Sequence, residues 1–201
     1  ARRLGLSYVE TGAIYRAVAY VALVRGVSLD DGEALAGIAE ELDIRFQLNG
    51  EVNQVWLFGE EVTSRLRANE VSTGASKVSA HPAVRAALLE LQRRLGRQGA
   101  GSVLEGRDIG TVVFPESRHK FFVTASPEAR ARRRFLQLQA EGREVSLEQL
   151  VADIQKRDEA DSKRAVAPMK PASDAVVVDT TGMTLEQVVD HITRLVEKSC
   201  E

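Results

Sequence analysis

Four stretches of the chain set charged side chains where a ligand could meet them. Glu10-Thr11-Gly12-Ala13-Ile14-Tyr15-Arg16 gathers a carboxylate, a hydroxyl and a guanidinium within seven residues. Glu105-Gly106-Arg107-Asp108-Ile109-Gly110 sets a cation beside an anion between two glycines, which permit close backbone approach to a ligand. The same pair would also serve as a plain surface ion pair. Arg157, Asp161 and Arg164 fall at i, i+4 and i+7, on one helix face, in a segment with almost no apolar residue to bury. That face suits either anion binding or simple solvation. Pro168 is expected to end this helix and Pro171 to keep the chain extended beyond it. Finally, Arg130, Arg132, Arg133 and Arg134 crowd one helix, with Phe135, Leu136 and Leu138 expected on its packing side. This run fits a solvated helix or a nucleic-acid contact, but no aromatic residues interleave it as stacking platforms for bases.

Arginine is common to all four stretches. The 27 basic residues divide into 21 Arg and 6 Lys, and the planar guanidinium fork holds phosphates and carboxylates bidentately. Because 29 acidic residues leave a net charge of −2, steering of nucleic acid by the whole protein is not expected. His81, His119 and His191 are scattered with no second ligand at metal spacing, so no protein metal site is expected. Cys200, the single cysteine, excludes an internal disulfide framework and reads as an incidental tail thiol. Apolar runs such as Phe121 to Ala125 are far below the ~20 residues that cross a bilayer. No signal peptide is seen, so a cytoplasmic, soluble protein is expected.

The elements that must position these residues follow from periodicity. Ala1 to Gly5 reads as a last helical turn with a glycine C-cap, and Ser7-Tyr8-Val9 as a strand. Thr11-Gly12 then turns into a helix from Ala13 to Arg25 that buries Ile14, Val18, Val21 and Ala22. Ser28 to Asp31 caps a further helix through Ile38 and Leu42. From Ile44 to Val62 the period drops to two, with Ile44, Phe46 and Leu48 on one face, and Asn49-Gly50 signals a hairpin. Helices are expected from Asn69 to Val78 and after His81-Pro82, where Val84, Leu88, Leu91 and Leu95 form a stripe. Strands at Ser102 to Leu104, Lys120 to Thr124 and Ala175 to Asp179 alternate with helices starting at Ser126-Pro127, Ser146 and Thr184. The last two match the capping box. Apolar strands separated by helices predict a parallel sheet covered on both faces, which binds ligands at the strands' carboxyl ends.

Taken together, Thr11 to Arg16, Glu105 to Pro115, and Arg157-Asp158 through Lys163 to Pro168 closely resemble the bacterial cytidylate kinases, in order and spacing across nearly the whole chain. The resemblance implies a P-loop nucleoside monophosphate kinase fold: α/β, with a parallel sheet flanked by helices, a small antiparallel β insertion and a short lid. It implies a core of residues 1–12, 98–130 and 146–201, an NMP-binding region at 13–97 with the insertion at about 43–63, and a lid at 131–145. The activity implied is γ-phosphoryl transfer from ATP to CMP or dCMP, with Mg²⁺, by a cytoplasmic monomer in pyrimidine nucleotide metabolism with no nucleic-acid or membrane partner. Ser76, Arg85 and Asp108 match family positions at the base. Thr11, Arg16 and Arg107 match positions at the CMP phosphate. Arg157, Asp161 and Arg164 match the catalytic group at the ribose and the moving phosphoryl, and Arg130, Arg132, Arg133 and Arg134 match lid cations for ATP.

Two departures stand out. Glu10 occupies a position where the family usually has Asp, and no Gly-Lys-Ser/Thr phosphate loop occurs in the sequence. In the family that loop and its strand precede the helix whose tail is Ala1 to Leu4. The expectation is therefore a sequence that starts after the loop and is inactive by itself, with unpaired ladder groups and an apolar slot beside the sheet. The alternative is a CMP-binding module that transfers no phosphoryl group. An RNA-associated protein is the third reading, disfavoured by the net charge.

Overall fold

The structure is a computed structural model and describes residues 1–50 and 52–198. It divides into two compact units, Ala1–Ile109 and Gly110–Glu201. Cys200 and its expected role lie outside the described residues.

In the first unit a 3-10 turn at Arg2–Leu4 is capped by Gly5 at φ 64°, and strand β1 (Ser7–Glu10) runs straight into helix α1 (Thr11–Arg25). The expected turn at Thr11-Gly12 is absent. Instead the Thr11 hydroxyl donates to the Glu105 carbonyl at 2.7 Å, so the helix begins against the neighbouring strand. Ala13, Ile14, Ala17, Val18 and Ala22 are buried along α1, each apolar side chain of Val or Ile size contributing about 1.5–3 kcal/mol. Helix α2 (Gly32–Glu40) is capped by Asp31, whose carboxylate accepts from Ala34 N. Helices α3 (Thr63–Leu66), α4 (Asn69–Val78) and α5 (Pro82–Gly96) follow a three-stranded antiparallel sheet of β2 (Ile44–Asn49), β3 (Val52–Leu57) and β4 (Glu60–Glu61). The β insertion is therefore present where the alternation places it. Its inner face is only partly covered: Ile44 is buried, whereas Leu48 is exposed because the hairpin tip extends past the core. Helix α4 packs on α1 through Gly74, where a Cβ would stand 3.4 Å from that of Ala19 and 3.0 Å from Leu29 Cδ1. All four residues of the α5 stripe are buried. Strand β5 (Ser102–Glu105) pairs in parallel with β1, bringing Glu10 into register with Glu105.

The second unit carries strands β6 (Phe121–Thr124) and β7 (Val176–Asp179), also parallel, with helices α6 (Pro127–Ala140), α7 (Leu147–Lys163) and α8 (Leu185–Lys198). Ser126 and Ser146 accept from Ala129 N and Gln149 N. At Thr184 the capping box is reciprocal, with Gln187 N donating to the hydroxyl and Thr184 N to the Gln187 amide oxygen.

Parallel pairing and flanking helices are as the sequence predicts, with one two-stranded parallel ladder in each unit. Val123, Val176 and Val177 are exposed on the second ladder. Two further expectations are corrected. Helix α7 stops at Lys163, not at Pro168, so Arg164 is an extended C-cap rather than a third position on the helix face. The cause is local: the Arg164 guanidinium donates to the Val166 and Ala167 carbonyls at 3.0 and 2.5 Å, and Ala167 sits at φ 50°. On α6 the packing side is Ala131 and Leu138, while Leu136 faces solvent, because the i, i+7 spacing of 131 and 138 aligns them on one stripe.

Lys120, buried just before β6, donates to the Pro115 carbonyl and to both oxygens of Asp174, pinning two loops of this unit. Its hydrogen bond is the main cause that lowers the Asp174 pKa from 3.8. A lowered carboxylate pKa gives stability that is present above the unfolded value and lost as pH falls through the folded one. Thermal unfolding of the protein and of Asp174→Asn should therefore differ by a constant amount from pH 7 to about pH 5, and the gap should close below about pH 4. A gap that persists unchanged at pH 2.5 would contradict the ion pair.

Candidate active site

At the carboxyl end of β5 the chain presents Arg107 to solvent and turns Asp108 inward. Arg85, in the first turn of α5, reaches it: one guanidinium nitrogen donates to Asp108 Oδ2 at 2.5 Å and the other to the Ser79 carbonyl at 3.2 Å. Both partners are buried at 7% exposure, and the guanidinium lies 5.4 Å from the centre of the Tyr15 ring. Arg85 Nε is buried with no hydrogen-bond partner. Ser76, exposed on α4, joins indirectly, since its carbonyl accepts the Ser79 hydroxyl. Two charges removed from water need close geometry to offset desolvation, and this pair has it. The plain surface ion pair that the sequence left open is excluded for Asp108.

A second cluster stands at the end of β1. Arg16 bonds the Glu10 carboxylate, leaving its Nε buried without a partner. Next to it, the Tyr8 hydroxyl donates to Glu105 at 2.8 Å. Burial, followed by the charge of Glu105, pushes the Tyr8 pKa upward and keeps that hydroxyl protonated. Gly106 serves the protein's own packing: a Cβ there would stand 2.5 Å from Thr11 Oγ1 and 2.8 Å from Ile109 Cδ1. At Gly110 a Cβ would press on the Lys120 side chain at 3.2 Å.

In the second unit Arg130 grips Asp158 with both terminal nitrogens and donates through Nε to the Ala125 carbonyl at 3.0 Å, clamping α6 to α7. The Asp158 hydrogen bond raises the Arg130 pKa. Arg133 donates to the Thr180 carbonyl and, at 3.3 Å, to its hydroxyl and to the Met183 carbonyl. Arg134 donates to Gln137, and Arg132 is exposed with no hydrogen bond or ion pair to described residues. Arg157 is exposed on α7. Asp161 and Arg164 are largely buried and 3.7 Å apart. Tyr15, Asp158 and Thr180 were not singled out in the sequence. Each lies far along the chain from its arginine, so no spacing rule signals the contact. Among the described residues no three His, Cys, Asp or Glu side chains converge on a metal position, and no helix is long and apolar enough to cross a membrane.

Parallel strands flanked by helices, with arginine–carboxylate pairs at their carboxyl ends, define an α/β protein of the class that binds anionic ligands there. A sequence profile described as "Cytidylate kinase" matches residues 1–198. A protein named cytidylate kinase from Pseudomonas aeruginosa is 50% identical over 200 residues, covering 98% of this chain and 87% of its own. One of the same name from Vibrio cholerae is 47% identical over 197 residues, with the same coverages. Another from Desulfitobacterium hafniense is 46% identical over 201 residues, covering 100% of this chain and 86% of its own. The chain belongs to the cytidylate kinase family.

Proposed function

We propose that the protein transfers the γ-phosphoryl group of ATP to CMP or dCMP, giving CDP or dCDP and ADP. The observation that carries the acceptor's identity is the buried Arg85–Asp108 pair. Cytosine shows an N4 amine donor beside the N3 and O2 acceptors. Asp108 would accept from the amine, and the guanidinium edge, whose Nε still lacks an acceptor, would donate to the ring side. Uracil would turn its O4 acceptor on the carboxylate, leaving two buried acceptors face to face, a mismatch that polar sites reject strongly. Ser76 would support this edge.

Thr11, Arg16 and Arg107 are read as holding the CMP phosphate, each charge-assisted bond contributing about 1.5–3 kcal/mol. Glu10 pre-places Arg16 for that role. The phosphoryl group in flight spreads charge over its oxygens and needs little covalent help. Arg157 and Arg164 would stabilise that charge, and Asp161 would hold Arg164 and the ribose side. In the lid at 131–145, closure would exclude water. Because Arg130, Arg133 and Arg134 already have protein partners, Arg132 is the lid cation best placed to meet ATP. Mg²⁺ would enter with ATP as part of the substrate, since substrate phosphates commonly supply its ligands. The division into core, NMP-binding region at 13–97 and lid follows the family resemblance, as does a cytoplasmic monomer. A CMP-binding module without transfer finds no support in relatives that carry kinase names. The test is CDP formation from CMP and MgATP.

A further inference from the structure

We infer that Tyr15 is a positioning residue for base selection: its ring fixes the plane of the Arg85 guanidinium, so that the Arg85–Asp108 pair is set for cytosine before the nucleotide arrives. The inference rests on the base-reading role proposed above and extends it to a residue outside the polar pair.

Arg85 is a long side chain, and what it reads depends on the tilt and the rotation of its fork. Two in-plane hydrogen bonds, to Ser79 O at 3.2 Å and Asp108 Oδ2 at 2.5 Å, fix the rotation. Movement of the fork toward or away from α1 is left to what it rests on, and the guanidinium carbon lies over the face of the Tyr15 ring, 5.4 Å from its centre. The ring cannot move aside, because Tyr15 is buried in the apolar core of α1 with Ile14 and Val18 around it in the chain. Its face is negative, so it attracts the cation without competing for the in-plane donors, and this attraction strengthens where water is excluded. A leucine of similar reach would fill the space but would not hold the plane. Tyr15 also precedes Arg16 directly, so one helical turn carries both the platform under the base reader and the arginine assigned to the phosphate. A single rigid element thereby sets the distance between the two readers.

The experiment measures CMP and UMP affinity by calorimetry in the absence of ATP, with thermal unfolding followed for each variant. Tyr15→Phe, which keeps the π face, should preserve the CMP-over-UMP preference within about twofold. Tyr15→Leu should weaken CMP by about tenfold and leave UMP within about threefold, the size of a desolvated cation–π contact. Asp108→Asn is the reference. If it leaves the CMP-over-UMP ratio unchanged, the base-reading assignment itself fails. If it collapses the ratio while Tyr15→Leu does not, only the positioning role is overturned. Should Tyr15→Leu not fold, phenylalanine carrying one, two and then four ring fluorines at position 15 weakens the face at nearly constant size. A stepwise fall in CMP preference then supports the role, and a flat series overturns it.

Discussion

Asp108→Ala should cost CMP about 10- to 100-fold of its advantage over UMP, the range of one bidentate base contact. It should leave ATP affinity within about twofold, a contrast measurable by titrating each nucleotide separately. The same change should lower stability by about 3–5 kcal/mol, because it strands the buried Arg85 cation. These two consequences separate in the double variant Arg85→Met with Asp108→Leu. Replacing both charges by apolar side chains of similar volume restores most stability, since no uncompensated charge remains. It cannot restore the donor–acceptor edge. The expected pattern is a recovered unfolding transition with the CMP preference still absent. Equal loss of CMP and ATP affinity in Asp108→Ala would contradict the base-reading role, and so would a double variant that regains selectivity.

Arg157→Ala should lower kcat by about 10³-fold, the lower end for an arginine that stabilises the transferring phosphoryl, with CMP affinity within about threefold. Arg157 is the informative member of its group because its side chain is exposed on α7, whereas those of Asp161 and Arg164 are largely buried. Arg164 is a poorer probe, since it clasps the Val166 and Ala167 carbonyls and holds Ala167 at its positive φ. Removing it would act on the loop and the chemistry together. Arg157→Lys keeps the charge but loses the fork, and should recover only a small part of the rate. Single-turnover rates within tenfold of the unaltered protein for Arg157→Ala would contradict its place in the transfer step.

The two stretches differ in how much of them could be read in advance. Helix α5 was legible from Pro82 and the spacing of Val84, Leu88, Leu91 and Leu95, because one apolar stripe on a long helix leaves a period in the sequence. The β insertion was legible from a change of period and the Asn49-Gly50 turn. The end of α7 was not. Proline stops a helix that runs into it, but the stop at Lys163 is made earlier, by Arg164 bonding carbonyls two and three residues ahead, a choice among local hydrogen bonds that periodicity does not record. Asp108 was picked out by its neighbours Gly106 and Arg107, yet its actual partner is Arg85, 23 residues earlier. Arg130 and Asp158, 28 residues apart, form a clamp that neither helix announces. Gly106 stands out in the sequence, and in the structure the space a side chain would need there is taken by Thr11 and Ile109 of the same chain.

The central claim is tested most directly by incubating the protein with MgATP and one monophosphate at a time, CMP, dCMP, UMP or AMP, and separating the products by ion-exchange chromatography. The predicted result is equimolar CDP and ADP from CMP, and dCDP and ADP from dCMP. UMP and AMP should be converted at least about 100-fold less efficiently, as expected where a mismatched base leaves buried polar groups unpaired. Binding of CMP without any CDP, or equal conversion of UMP and CMP, would contradict it.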